Sequence, residues 1–110
     1  MFIILINYLK PLEDVMKFRE LHIDFLKEHY TSGRFVVSGP KDPMDGGVIL
    51  SLGKNIEEIQ MIASQDPFFV NGVADFSIIK FTPKWYNSIA SSFIKSGTPI
   101  TSDVNLSDFS

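Results

Sequence analysis

His22 stands four residues after Phe18 and three before Phe25, on the apolar stripe of a helical pattern. Imidazole is the side chain best suited to moving protons near neutral pH. The plain alternative is a partly buried histidine satisfied by one hydrogen bond. His29 follows seven residues later, near the same stripe. Two turns of helix separate the pair, too far for both to reach one metal ion, and no carboxylate completes a helix-borne ligand set. The expectation is therefore no metal. Asp66, ahead of Pro67, offers a carboxylate that could orient an imidazole as the acid of a catalytic triad does. Taken locally, Asp before Pro reads instead as an ordinary helix N-cap. Arg19, one turn before His22, could hold an anionic substrate, although a solvated helix arginine is the commoner case. In Ser38-Gly39-Pro40 the glycine could let backbone approach a ligand, or simply serve a turn.

These residues need elements to carry them. Phe2–Tyr8 is short, apolar and rich in β-branched residues, which predicts a strand ended by Lys10-Pro11. From Leu12 to about Thr31 the period becomes helical, with Val15, Phe18, His22, Phe25, Leu26 and His29 on one stripe. Glu13 and Asp14 suit the start of that helix and Gly33 its end. Arg34–Ser38 predicts a second strand, closed by Gly39-Pro40, and Lys41–Gly47 a loop. Val48–Leu52 is a third strand. Asn55 caps a second helix from Ile56 to about Ser64, buried through Ile56, Ile59, Ile62 and Ala63. Asp66-Pro67 breaks that helix and can start a short turn, and Ala74–Phe81 is the fourth strand.

The order βαββαβ has a natural solution in an α+β fold. Two crossovers place both helices on one face of a four-stranded antiparallel sheet, ordered 4-1-3-2, with the first strand central. Trp85, Ile89 and Phe93 share a helical stripe, so a short docked helix is expected after Pro83. Gly97–Ser110 reads as a polar tail. The division is a domain over residues 1–84 and an extension over 85–110.

The chain's 110 residues suffice for one core, and a composition 45% hydrophobic and 21% charged is that of a globular domain. A net charge of −3, with both signs interspersed, argues against nucleic acid or an anionic membrane as partner. With no cysteine, disulfides and thiolate chemistry are excluded. No phosphate loop, paired-carboxylate motif or nucleophile elbow is present. No apolar run approaches the ~20 residues of a membrane span, and the start lacks the basic region of a signal peptide. The cytoplasm is the expected location.

In order, the motifs are Arg19-Glu20-Leu21-His22, Gly33-Arg34-Phe35-Val36-Val37-Ser38-Gly39-Pro40, and Asp66-Pro67-Phe68 with Gly72-Val73 beyond. From about Met1 to Lys84 this run resembles the YciI-like family of small proteins. The resemblance implies a dimeric α+β barrel of the ferredoxin-like kind, with a site pairing His22 and Asp66. It implies kinship of fold with muconolactone isomerases and small monooxygenases, and with members that dehydrochlorinate chlorinated hydroxyquinols. The extension from about Tyr86 departs from the family pattern.

The expected function is a cofactor-free lyase or isomerase, dehydrochlorinase-like, with His22 as base and Asp66 as its partner. Its substrate would be a small aromatic or enolisable molecule, held by Arg19 and Ser38-Gly39-Pro40, in a pocket lined from the 10 phenylalanines. The rival is a non-catalytic small-molecule-binding or interaction module; a monooxygenase role rests on fold analogy alone and ranks last. Independently, Phe2, Ile4 and Ile6 oppose Ile3 and Leu5, so both faces of the first strand are apolar. Helices cover one face, and a second copy of the sheet is the expected cover of the other, making a homodimer.

Overall fold

The computed structural model describes residues 1–96. The expected tail at Gly97–Ser110 lies outside the described residues. Strand β1, Phe2–Tyr8, alternates as its residues dictate: Phe2, Ile4 and Ile6 are buried, while Ile3 and Leu5 are half-buried on the other side. β1 pairs antiparallel with β3 (Gly46–Ser51) and with β4 (Ala74–Lys80), and β3 pairs with β2 (Phe35–Pro40). The sheet order is β2-β3-β1-β4, the predicted order read from the opposite edge, so β1 is central.

Helices α1 (Leu12–Met16), α2 (Arg19–Thr31), α3 (Ile56–Ala63) and α4 (Pro67–Val70) supply the other half of the core. Val15, Phe25, Leu26, Ile59, Ile62 and Phe68 pack with Phe2, Ile4, Ile6, Phe35 and Ile49 in one apolar cluster. Each large side chain so buried contributes about 1.5–3 kcal/mol. The opposite face of the sheet keeps Val37, Val48 and Ile79 exposed.

Several boundaries differ from the sequence reading. The first helix is two, broken at Lys17-Phe18, where Phe18 leaves helical geometry with φ −107° and ψ 11°. No side chain caps either new N-terminus, so the break is held by packing, with Val15 fully buried in the first piece. Gly39-Pro40 lies inside β2 instead of ending it, which an edge strand permits because Pro40 has one neighbour only. Gly46-Gly47 likewise belongs to β3 and not to the preceding loop: a Cβ at Gly46 would land on the Ile6 carbonyl, so glycine lets the central strands approach. Asn55 does cap α3, accepting the Glu58 N–H at 2.9 Å. After β4, a 3-10 turn at Ser88–Ala90 leads into α5, Ser91–Ser96. Trp85 and Ile89 precede α5 and stand 94% and 87% exposed, so the expected docked stripe does not form through them.

Candidate active site

Asp66 and Pro67 build the site from a local rule. Proline at the first position of a helix loses nothing by lacking an N–H, and an aspartate before it can cap. Here the Asp66 side chain accepts the Phe68 N–H at 2.9 Å, and its carbonyl accepts from Phe69 and Val70. Helix α4 ends one turn later, where Gly72 takes φ 71°, the left-handed conformation that glycine adopts without strain. Four residues therefore suffice to fix the carboxylate beside β4.

His22 reaches that carboxylate from the second turn of α2. Its Nδ1 lies 2.8 Å from Asp66 Oδ1, across 44 positions of sequence, with side-chain exposures of 14% and 6%. The same oxygen serves the cap and the imidazole, so the two roles weighed for Asp66 in sequence coexist. An ionised carboxylate only accepts, so Nδ1 carries the proton and Nε2 keeps its lone pair in the neutral ring. Phe68, itself buried, stacks on the imidazole with centroids 4.0 Å apart and planes 10° apart. One short helix thus supplies both the partner of Nδ1 and the surface that holds the ring plane.

Tyr8, half-buried at the end of β1, sets its ring edge-on to Phe68 at 5.9 Å. Burial, then the negative charge of Asp66, pushes its phenol pKa up, keeping the hydroxyl protonated. The sequence reading passed over this residue. Its parity with Phe2, Ile4 and Ile6 was the available signal, since even positions of β1 face the helices.

A small cleft opens between sheet and helices beside this corner. Ile4, Ile6 and Ile49 form its floor, Phe25, Phe69 and Phe76 line it, and Asp66, not His22, reaches its wall.

The remaining candidates fall elsewhere. Arg19 opens α2, half-buried, one turn before His22, and takes no part in the ion pairs among the described residues. Ser38, Gly39 and Pro40 lie on edge strand β2, two strands from β1 and so roughly 10 Å away across the sheet. The Ser38 hydroxyl sits 2.7 Å from that of Tyr30, and Gly39 lies in register with Val48, on the face away from the helices. The structure brings His22 and Asp66 together and leaves the Ser38–Pro40 segment apart from them. Among the described residues no group of three His, Cys, Asp or Glu could hold a metal ion, and no helix is long and apolar enough to cross a membrane.

Comparison with known proteins adds three findings. No curated protein matches the chain. A solved structure that does match is 5-chloro-2-hydroxyhydroquinone dehydrochlorinase from Burkholderia phenoliruptrix AC1100, in complex with 2,5-dihydroxybenzoquinone. The likeness has a TM-score of 0.60 at 17% identity and covers 74% of this chain and 93% of that one, which establishes a common fold. The YCII-related domain matches residues 1–82, the whole sheet with its four packed helices, and the chain belongs to that family.

Proposed function

We propose that the protein is a small-molecule enzyme in which His22 exchanges a proton with the substrate through Nε2 while Asp66 holds the ring by Nδ1. The observation that carries this reading is the 2.8 Å contact between His22 Nδ1 and Asp66 Oδ1 at the wall of an apolar cleft. Neutral His22 has its lone pair on Nε2, and when that atom takes a proton the imidazolium lies against a buried carboxylate. Phe68 keeps the ring from turning away. The reaction class is a proton-coupled elimination or isomerisation. In a dehydrochlorination, the type named for the structural relative, a base accepts the proton as chloride leaves. Arg19 is the nearest candidate in sequence to hold an anionic substrate oxygen, whereas Ser38, Gly39 and Pro40 would need a ligand long enough to cross the sheet.

The test is turnover of a panel of chlorinated hydroxyquinols and enolisable lactones by the wild type, His22→Ala and Asp66→Asn. Chloride release or isomerisation lost in both variants supports the reading. A substrate that both variants process at the wild-type rate overturns it, and compounds that bind without any turnover favour a binding module.

The same reading includes a homodimer formed through the outer sheet face. Its support is the apolar row of Val37, Leu50, Ile3 and Ile79, of which Val37 and Ile79 are exposed. Sedimentation should give a dimer for the wild type and a monomer for Leu5→Glu. A wild-type monomer at tens of micromolar would exclude this assembly.

A further inference from the structure

Two apolar surfaces are left open among the described residues. One is the outer face of the sheet, where Val37, Val48 and Ile79 stand exposed beside half-buried Ile3, Leu5 and Leu50. The other is the extension beyond β4, where Trp85 and Ile89 are almost wholly exposed. Gly39 belongs to the first surface, in register with Val48, and a Cβ there would meet nothing. Its φ is not positive either, so neither backbone conformation nor crowding within the subunit calls for glycine. Glycine in a strand without those reasons leaves room for another group to approach. The outer face is also small: four strands, about six residues deep, cover roughly 400 Å². A stable interface takes about 800 Å² from each partner, so this face alone falls short. A buried tryptophan brings roughly 200 Å² more, and tryptophan is enriched among the residues that anchor interfaces.

We propose that the segment carrying Trp85 and Ile89 is an arm that packs on the outer sheet face of a second copy of this chain. The inference rests on the homodimer proposed above and names what completes it. A second copy is the occupant because the face lacks the area that the arm holds, and both surfaces are apolar. Symmetry makes the contact twice, each subunit lending its arm and receiving its partner's. The open floor for the indole is the space over Gly39, beside Val37 and Val48. Because Trp85 and Ile89 are so exposed within the subunit, truncating them leaves the core intact.

Trp85 is the only tryptophan of the chain, so intrinsic fluorescence reports its surroundings directly. The experiment follows that emission, and sedimentation, for the full chain over a dilution series. Dimeric wild type should show blue-shifted emission that moves to the red as dilution yields monomer. Trp85→Ala combined with Ile89→Ala should weaken dimerisation about tenfold or more. Met61→Ala, equally exposed but on α3 and so on the helical side, should leave it unchanged. A dimer whose emission stays that of exposed indole, or emission already blue-shifted in the monomer, would overturn the arm. A dimer that Leu5→Glu dissociates and the double substitution does not sinks the arm and leaves the sheet-face assembly standing. A wild type that is monomeric at every concentration sinks both.

Discussion

Helix α2 carries two histidines in environments that assign them opposite tautomers. His22 gives its Nδ1 hydrogen to a carboxylate and keeps its lone pair on Nε2. His29, two turns on, is 5% exposed, and its Nδ1 lies 3.4 Å from an Arg34 nitrogen that can only donate. The His29 hydrogen therefore sits on Nε2, a buried atom with no hydrogen-bond partner among the described residues. Its ring is packed among Phe25 and Phe35, both at 4.9 Å. Burial is the main cause holding its pKa below the usual range; Glu28 pulls it up and Arg34 pushes it down. An imidazole's tautomer thus follows from what faces it. A carboxylate places the hydrogen of His22 on Nδ1, and an arginine places that of His29 on Nε2.

The comparison breaks first at His22. His22→Ala should lower kcat on any substrate found for the wild type by about 10²- to 10⁴-fold. His29→Leu should leave kcat within a few-fold in the same assay. Equal losses from the two substitutions would erase the distinction.

Phe25 touches both rings, at 6.2 Å from His22 and 4.9 Å from His29, and is itself buried. Phe25→Ala should destabilise the fold by about 3–5 kcal/mol, read as a shift of the urea midpoint. A cost under about 1 kcal/mol would mean that this wall is not packed as described.

Asp66 separates the cap from the chemistry. Asp66→Ala should cost about 0.5–2 kcal/mol through the lost cap, measured by thermal unfolding. Asp66→Asn can still accept the Phe68 N–H, so its Tm should stay close to wild type while kcat falls toward that of His22→Ala. Wild-type kcat in Asp66→Asn would show that the charge beside Nδ1 is dispensable.

The smallest effect belongs to pH. A histidine whose pKa is lower folded than unfolded binds fewer protons in the native state, so stability rises with pH over that interval. Its contribution is complete above the unfolded value of 6.5 and declines as pH drops below it toward the folded pKa. The slope from His29 can reach at most about 1.4 kcal/mol per pH unit, one proton's worth. Comparing urea midpoints of wild type and His29→Leu from pH 7 to 5 should show the slope reduced in the variant. An unchanged slope would place the acid sensitivity elsewhere.

How far the sequence could be read follows from the range of each interaction. Asn55 was legible as a cap because its partner, Glu58, is three residues away. Asp66 was legible as a cap for the same reason, and its second partner was not, being 44 positions off. The break at Lys17-Phe18 carries no glycine, proline or capping side chain to announce it. Gly39-Pro40 and Gly46-Gly47 looked like turns because turns are where those residues usually serve. Only the edge position of β2 and the close approach of β3 to β1 made strand residues of them. The motif grouped Ser38 with His22 and Asp66, yet the sheet order sets strand β3 between β2 and β1.

By itself the sequence determined the alternation of β1, the helical stripe through His22 and His29, the caps at Asn55 and Asp66, and the strand order. Each follows from periodicity, backbone preference or short connections, which act within a few residues or limit topology to few choices. Only the tertiary structure decided which histidine meets a carboxylate and which meets arginine and aromatic rings. Both lie on one stripe of one helix, and what distinguishes them comes from other elements: Asp66 and Phe68 around α4 for His22, Arg34 and Phe35 around the start of β2 for His29. Protonation answers to local charge and burial, and those are properties of the folded neighbourhood rather than of the residue.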